Sequence, residues 1–239
     1  MVEELFYYLL NTTQMQAVIL AAGKGTRMHP LTLEKPKQLI QAAGKPIIDH
    51  IISSLPKEIT EVIVVVGYKG DMIIDYCGDE FCGRTMHYVW QHNPLGTAHA
   101  LEQARHLLHE SFLLMYGDDL VDGTAIGRAL QHKSCLLAYE HPDPRAFGVI
   151  ELKDDGTLKT IVEKPENPAT NLVSASGLVL HTDLFDYYNE WPETGERYIT
   201  HALNRYAQDH PVHIEQLAFW YPMNSLEQLK EAEKSLQSL

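Results

Sequence analysis

The chain has 239 residues, enough for one large domain or two small ones, and 19 Lys and Arg against 32 Asp and Glu give it a formal net charge of −13. This acidity argues against sequence-independent nucleic-acid binding, which needs basic side chains to displace counterions from phosphates. Hydrophobic residues make up 45% of the chain, which excludes a disordered protein, yet no apolar run reaches the roughly 18 residues of a membrane-spanning helix. Three cysteines without a disulfide pattern, Cys77, Cys82 and Cys135, predict a reduced, cytoplasmic setting.

The first fourteen residues differ from the sequence that follows them. Leu5–Leu10 is apolar, but Glu3 and Glu4 precede it and no small-residue cleavage site follows, which argues against a signal peptide. Because a second methionine stands at position 15, we expect residues 1–14 to be an extension and residues 15–239 to form a single domain.

Short apolar runs predict the strands of a buried sheet. They are bounded by glycines and rich in β-branched residues, which is typical of strands covered on both faces. The runs are Ala17–Ala22, Val62–Val66, Phe112–Tyr116 and Leu136–Tyr139, and segments with helical spacing lie between them at Ile47–Leu55 and Thr97–Leu108. This alternation predicts an α/β fold, a three-layer Rossmann-like, mixed but mostly parallel sheet with helices on both faces.

The texture of the sequence changes after Pro142. Further strands are predicted at Gly148–Leu152, Leu158–Glu163 and Ser176–Leu180, with a turn at residues 154–156, and a last helix at Leu226–Leu236. We expect an antiparallel or mixed part added to the same sheet, which divides the domain into lobes of residues 15–140 and 141–239.

A glycine-rich loop follows the first predicted strand. Gly23 and Gly25 allow backbone N–H groups to approach an anionic oxygen, and Arg27 and Lys37 add the positive charges that a triphosphate requires. The loop lacks the P-loop order, in which serine or threonine follows Gly-Lys, and the third small residue of a dinucleotide-binding fingerprint. The two glycines alone are equally consistent with a plain strand-to-loop turn.

The longer pattern is more specific. Residues 20–28, together with Pro30-Leu31-Thr32 and Lys35-Pro36-Lys37, resemble the opening motif of the nucleoside-triphosphate:sugar-1-phosphate nucleotidyltransferases, also called nucleotide-sugar pyrophosphorylases. Segments similar to the family's later motifs follow in the family's order, at Gln91–Ala98, Gly117-Asp118, Phe147–Val149, Glu163–Pro165 and Trp220–Leu229. The resemblance implies the nucleotide-diphospho-sugar transferase type of this fold. It also implies Mg2+-dependent transfer of a nucleotidyl group from an NTP to a sugar 1-phosphate, with release of pyrophosphate.

The resemblance also assigns roles to individual residues. Arg27 would stabilise the departing pyrophosphate and Lys37 would bind phosphate near the reacting centre, which makes them the candidate catalytic residues. The candidate nucleotide-binding residues are Leu20, Ala22, Gly23, Lys24, Gly25, Gln91, Gly96 and Thr97. The candidate sugar-phosphate-binding residues are Gly148, Glu163, Lys164 and Ser176.

Two residues are candidate Mg2+ ligands. Asp118 follows a predicted strand at the edge where open α/β sheets bind ligands, whereas its neighbour Asp119 is assigned to the turn. Many family members carry a second carboxylate where this chain has Pro222. We therefore expect Asn224 to be the second ligand, as in the uridylyltransferases that act on N-acetylglucosamine 1-phosphate. A cap of the last helix is the alternative role of Asn224.

The substrates are less sharply defined by the sequence. The amide of Gln91 suits the imide edge of uracil or thymine, and the Gly-Thr-Ala triplet at residues 96–98 favours UTP, with dTTP or GTP as alternatives. Ala175 stands where many relatives have asparagine, and His201 where aspartate is common, so the acceptor stays open. The alternatives are a cytidylyltransferase acting on phosphocholine or a similar alcohol phosphate, and a regulatory subunit without turnover. The sequence allows a homo-oligomer without fixing the oligomeric state.

Overall fold

The computed structural model describes residues 15–189, 191 and 195–236, so the predicted extension at residues 1–14 lies outside the described residues. Its strands are β1 Met15–Ala21, β2 Gln41–Ala42, β3 Lys45–Pro46, β4 Ile59–Val66, β5 Glu80–Phe81, β6 Arg84–Trp90, β7 Ser111–Tyr116, β8 Asp119–Val121, β9 Cys135–Glu140, β10 Gly148–Leu152, β11 Leu158–Glu163, β12 Leu172–His181, β13 His213–Gln216 and β14 Trp220–Pro222. Its α-helices are α1 Leu31–Glu34, α2 Ile47–Ser54, α3 Gly70–Cys77, α4 Thr97–Ala104, α5 Gly123–Ala129, α6 Ile199–Asp209 and α7 Leu226–Leu236. None of the helices in these ranges is long and apolar enough to cross a bilayer.

Ten of the described strands build one large mixed sheet, and β2-β3 and β8-β14 form two separate pairs. Its main path runs β11-β10-β12-β7-β1-β4-β6-β5, and β9 pairs with both β12 and β13. β1 is parallel to β4 and β7, and β4 is parallel to β6, whereas β12 runs antiparallel to β7, β9 and β10. The predicted α/β fold is therefore confirmed. Of the strands after residue 142, β10, β11 and β12 join the same sheet in antiparallel pairing, β13 joins it parallel to β9, and β14 pairs with β8 outside it.

Side chains of the central strands alternate between two apolar clusters. Ile19 and Val64 belong to the cluster on one side of the sheet, whereas Val18 and Ile63 belong to the cluster on the other. All four are fully buried. Helices cover both faces of these strands, so both sides must be apolar, and the strands read as unbroken hydrophobic runs rather than alternating patterns.

Most predicted elements lie where the sequence placed them, with shifts at their ends. The helix predicted over Thr97–Leu108 ends at Ala104 and continues as a 3-10 turn at Arg105–Leu107. The strand predicted over Ser176–Leu180 extends over Leu172–His181, and the last helix has the predicted bounds. β6 was not predicted, because its residues 84–90 mix charged, polar and apolar side chains on a strand near the sheet edge.

Candidate active site

The glycine-rich loop and the Asp118 turn begin side by side. β1 and β7 are parallel neighbours, with Leu20 opposite Tyr116 at their carboxyl ends. The Gly117 N–H donates to the carbonyl oxygen of Leu20 at 2.9 Å, which continues the ladder by one residue. Because both strands end at one edge, residues 22–27 and Asp118 lie around a common space, where open α/β sheets bind ligands.

Two basic side chains converge there on two oxygen atoms. The Lys37 ammonium lies 2.5 Å from Asp118 Oδ2 and donates to Asn224 Oδ1 at 3.1 Å. Arg27 Nη2 donates to the same amide oxygen at 2.9 Å. Lys37 is only 5% exposed, so its charge is compensated by the carboxylate rather than by bulk water. The structure brings together Arg27, Lys37, Asp118 and Asn224, which are the predicted catalytic and metal-binding residues.

A small two-stranded ribbon holds Asn224 opposite Asp118. β14 pairs with β8 so that Pro222 faces Asp119, and the Met223 N–H donates to the Asp118 carbonyl at 2.9 Å. The helix cap is supplied by the next residue, because Ser225 Oγ accepts from the Gln228 N–H at 3.2 Å. The side-chain oxygen of Asn224 thus points to Arg27 and Lys37 and does not cap α7.

Asp119 supports this ribbon from inside the protein. Its Oδ2 accepts from the indole N–H of Trp220 at 3.1 Å, while its Oδ1 is buried with no hydrogen-bond partner among the described residues. Burial raises the pKa of the Asp119 carboxyl well above its ordinary value, and the nearby charge of Asp118 raises that pKa further, whereas the indole N–H opposes the shift. The side chain therefore links β8 to β14, which is more than the turn role expected from the sequence.

Residues 91–96 connect β6 to α4 and are called the Gln91 loop. A cavity of about 370 Å3 opens between this loop and the glycine-rich loop. Its lining includes all but one of the predicted nucleotide-binding residues, and these are Leu20, Ala22, Gly23, Gly25, Gln91, Gly96 and Thr97. The exception is Lys24, whose side chain lines a smaller cavity of about 250 Å3 beside Trp90 and His92. Gln38, Tyr116 and Glu196 also line the 370 Å3 cavity and were not predicted as site residues.

A second cavity, of about 510 Å3, adjoins the first. Gly148, Glu163 and Lys164 line it, as predicted for the sugar-phosphate site. The two cavities have four lining residues in common, Thr97, Tyr116, Asp118 and Asn224. The candidate metal ligands therefore stand where the two spaces join, so groups bound in each would meet there.

Ser176 is the one predicted sugar-phosphate-binding residue that does not line the second cavity. This side chain is fully buried, and its Oγ accepts from the Tyr116 N–H at 2.9 Å, so it ties β12 to β7 and lines neither large cavity. The pairing of β12 is irregular between Ser174 and Leu178, and Ser174 and Ala175 face the second cavity instead. The role of Ser176 was inferred from the resemblance alone, which carries no information on which way a side chain of β12 faces.

Backbone hydrogen bonds join the Gln91 loop and the start of α4 to residues 195–198, the segment that precedes α6. Arg197 donates its N–H to the Leu95 carbonyl at 2.7 Å, and its carbonyl accepts from the Ala98 N–H at 2.8 Å. Gly96, with φ of 104°, lies beneath it, and a Cβ at Gly96 would come within 2.5 Å of the Arg197 carbonyl oxygen. Thr97 Oγ1 accepts from the Ile199 N–H at 3.0 Å. Only glycine fits under this segment.

Of the cavity-lining residues that the sequence analysis did not predict, some are marked by a sequence pattern and others are not. Tyr116 could have been found, because it ends a predicted strand at the carboxyl edge beside Asp118. Burial raises the pKa of its phenol, which therefore stays neutral at physiological pH. Glu196 and Tyr198, which line the first and second cavities respectively, precede α6 in a stretch without periodicity, so nothing in the sequence marked them.

The mostly parallel sheet and the two adjoining cavities at its edge define an α/β protein with a binding site at the strand ends, and the family model assigns it to the nucleotidyltransferase class. The chain belongs to the nucleotide-sugar pyrophosphorylases, since the family model described as "Nucleotidyl transferase" matches residues 16–238. The bifunctional protein GlmU of Methanococcus maripaludis is 35% identical over 211 residues, which are 86% of this chain and 50% of the relative. The UTP–glucose-1-phosphate uridylyltransferase AglF of Haloferax volcanii is 38% identical over 167 residues, 66% of this chain and 69% of that protein. The chain thus spans about half the length of the bifunctional relative.

Solved structures share the fold. A putative glucose-1-phosphate thymidylyltransferase from Bacillus anthracis superimposes with a TM-score of 0.85 at 22% identity, covering 94% of this chain and 96% of that one. A UDP-glucose pyrophosphorylase from Acinetobacter superimposes with a TM-score of 0.80 at 20% identity, covering 92% of each chain. At such identities the likeness supports the architecture alone.

Proposed function

We propose that the protein transfers a nucleotidyl group from an NTP to a sugar 1-phosphate, producing an NDP-sugar and pyrophosphate. The observation that carries this proposal is the cluster of Arg27, Lys37, Asp118 and Asn224 at the junction of two cavities. One cavity is bordered by a glycine-rich loop suited to phosphates, and the other by polar side chains suited to a sugar. A transfer between two bound anions needs charge neutralisation at the point where they meet.

In the proposed reaction an oxygen of the sugar phosphate attacks the α-phosphorus of the NTP. A new oxygen–phosphorus bond forms while the bond from the α-phosphorus to the bridging oxygen of the β-phosphate breaks, and that oxygen leaves with pyrophosphate. The two phosphates repel each other, so the protein must hold them in line and screen their charges. In this proposal Lys37 binds phosphate at the junction, and Arg27 stabilises the charge of the leaving pyrophosphate.

The oxygen atoms at the junction suit a hard divalent cation. Asp118 Oδ2 and Asn224 Oδ1 both contact the Lys37 ammonium, so a positive charge already lies between them. The ranges that the structure describes contain no cluster of three or more His, Cys, Asp or Glu arranged as a metal site. Mg2+ needs few protein ligands because it keeps water and phosphate oxygens, and when bound it supplies charge that stabilises the reacting phosphates.

The second cavity suits the hydroxyl groups of a sugar. Glu163 is exposed to this cavity and offers a carboxylate that accepts hydrogen bonds from hydroxyls. Gly148 lies beside it, and a Cβ there would come within 2.8 Å of Ile161 Cγ2 and 3.4 Å of Glu163 Oε1. Glycine at this position therefore leaves the Glu163 carboxylate free to turn toward a ligand. We assign the sugar to this cavity and its phosphate to Lys164 and the junction.

The proposed nucleotide is UTP, in line with the name of the Haloferax relative AglF. A relative from Streptomyces griseus, 36% identical over 166 residues, is named glucose-1-phosphate thymidylyltransferase, which makes dTTP the next candidate. Both bases carry the same imide edge, so the Gln91 loop would meet the same hydrogen-bonding groups in either nucleotide.

A pyrophosphate-release assay tests the proposal. UTP, dTTP, GTP and CTP are each combined with glucose 1-phosphate, N-acetylglucosamine 1-phosphate and phosphocholine, with Mg2+ or with EDTA. We expect release with UTP or dTTP and a sugar phosphate, and its loss in EDTA. Release only with CTP and phosphocholine would establish the alcohol-phosphate alternative. NTP binding without pyrophosphate from any pair would instead establish a regulatory protein without turnover.

A further inference from the structure

The amide nitrogen of Gln91 is fully engaged inside the protein. Gln91 follows β6, its backbone N–H donates to the Val66 carbonyl at 2.8 Å, and the residue is 7% exposed. Its Nε2 lies 3.1 Å from the Gly96 carbonyl oxygen and 3.0 Å from His99 Nδ1. Both hydrogens of the amide are thereby directed at protein acceptors, whereas the sequence alone suggested that the amide would offer donors and an acceptor to a base.

These partners decide which way the amide faces. A carbonyl oxygen can only accept, so the Gln91 atom beside Gly96 must be the nitrogen. The same nitrogen then donates to His99 Nδ1, so the imidazole carries its hydrogen on Nε2. Gln103 Nε2 lies 3.4 Å from His99 Nε2 and already donates to the His99 carbonyl at 3.1 Å. A neutral imidazole accepts at one nitrogen only, so we assign the hydrogen bond to the shorter Nδ1 contact and none to Nε2. An imidazole acceptor and a carbonyl together therefore hold the amide in one orientation.

The Gln91 side-chain oxygen is the group left for a ligand. Across the described ranges it has no hydrogen-bond partner, it is not among the fully buried atoms, and Gln91 lines the nucleotide cavity. An amide oxygen only accepts hydrogen bonds. It therefore suits the N3–H of uracil or thymine, whereas cytosine in the same position presents an unprotonated N3 that repels it.

We propose that His99 is a positioning residue that determines base selectivity by fixing the Gln91 amide with its oxygen toward the nucleotide. The inference rests on the proposed function, because it takes the base to lie beside Gln91. Without the acceptor that His99 Nδ1 provides, the Gln91 amide would rotate more freely and would offer its nitrogen to the cavity as well as its oxygen. The cost of binding a base with an acceptor at N3 would then fall.

Equilibrium binding of UTP and CTP tests this inference without the sugar phosphate, so the result does not depend on turnover. His99→Leu removes the acceptor at nearly constant size, and His99→Asn replaces it with an amide oxygen close to the Nδ1 position. We expect the wild-type chain to prefer UTP, and the preference for UTP over CTP to fall about fivefold to tenfold in His99→Leu, as expected for one hydrogen bond. His99→Asn should retain the wild-type ratio within about twofold, because one hydrogen bond is conserved.

Two further variants complete the test. Gln103→Leu removes the other side chain at the His99 ring without touching Gln91 and should leave the binding ratio unchanged. His99→Ala removes the acceptor without adding bulk, and it replaces His99→Leu if that variant does not fold. An unchanged ratio in the variant that lacks the acceptor, or a wild-type chain that does not distinguish UTP from CTP, overturns the inference. Absence of pyrophosphate release in the wild type overturns the proposed function instead and leaves the binding ratios valid.

Discussion

The ammonium of Lys37 and the carboxylate of Asp118 lie 2.5 Å apart although 81 residues separate them in the chain. Asn224, from the C-terminal part of the chain, accepts a hydrogen bond from the same ammonium. Three segments that are distant in the chain therefore bring Lys37, Asp118 and Asn224 together at the carboxyl ends of the parallel strands.

Asp118→Asn should lower turnover by at least about tenfold, because single preorganised electrostatic groups contribute a few kcal/mol to transition-state stabilisation. The substitution removes the carboxylate that faces Lys37 and weakens any site for Mg2+. The measurement is the initial rate of pyrophosphate release at saturating substrates. Glu151→Gln, which neutralises a half-buried carboxylate paired with the exposed Lys159 and outside both large cavities, is the control and should keep the wild-type rate. A wild-type rate in Asp118→Asn would remove this residue from the mechanism.

Asn224→Asp should lower the Mg2+ concentration required for half-maximal activity by about threefold or more, because a carboxylate binds Mg2+ more strongly than an amide oxygen. Asn224→Ala should raise that concentration. Both are measured by titrating Mg2+ in the pyrophosphate assay. Asn171→Asp makes the same charge change at an exposed position outside both large cavities and serves as the control. If neither change at Asn224 moves the Mg2+ midpoint, the residue is not a ligand.

Trp220→Phe should lower the free energy of unfolding by about 1–3 kcal/mol, because it leaves the buried Asp119 carboxylate without its indole donor. Urea unfolding followed by far-ultraviolet circular dichroism measures the change. Trp90→Phe is the matched control, since Trp90 is half-buried and its indole N–H has no hydrogen-bond partner among the described residues. Equal losses in the two variants would show that packing, and not the hydrogen bond to Asp119, accounts for the effect.

Gly96→Ala should weaken NTP binding and lower the stability of the Gln91 loop. The new Cβ would meet the Arg197 backbone, and a φ of 104° costs an L-residue on the order of 1–3 kcal/mol. Gly127→Ala is the control, because it lies in α5 with no atom within 4 Å of the added Cβ and should be neutral or stabilising. The midpoint of thermal unfolding with and without UTP distinguishes the two variants. Wild-type behaviour of Gly96→Ala would mean that the segment above the loop moves aside without cost.

The three cysteines should differ sharply in reactivity. Cys82 is exposed, whereas Cys77 and Cys135 are buried and burial raises the pKa of each thiol to about 12. At pH 8 such a thiol is ionised to only about one part in ten thousand, and the thiolate is the reactive form. An aromatic disulfide reagent should therefore modify one thiol in the native protein and three in urea, and Cys82→Ser should abolish the native reaction. Rapid modification of a second native thiol would contradict the assigned burial.

The sequence was sufficient for the features that depend on strand ends. The apolar runs predicted at Ala17–Ala22 and Phe112–Tyr116 indicate strands of a mostly parallel sheet, and the carboxyl ends of such strands share an edge, so the glycine-rich loop and Asp118 were expected at one edge. That the two strands are direct neighbours is shown only by the structure. The position of Asn224 was a prediction by resemblance. Its contact with Lys37 depends on the pairing of β14 with β8, for which three residues in each strand give no periodic signal.

The remaining features are set by tertiary contacts that leave little trace in the sequence. Ser176 lines neither large cavity because its hydroxyl accepts from the Tyr116 N–H inside the protein, a contact between β12 and β7 that the motif does not indicate. The engagement of the Gln91 amide by His99 depends on a helix that starts immediately after Gly96, and a scattered histidine in the sequence does not reveal it. Glu196 reaches the nucleotide cavity only because Arg197 pairs with the loop at Leu95.

Thr97 belongs to the walls of both large cavities, and its hydroxyl also anchors the start of α6 through Ile199. Under the proposed function, a substitution here would alter the walls of the donor and the acceptor cavity at once. Engineering of a new acceptor would have to begin at the far end of its cavity, around Gly148 and Glu163, where the nucleotide side is left untouched.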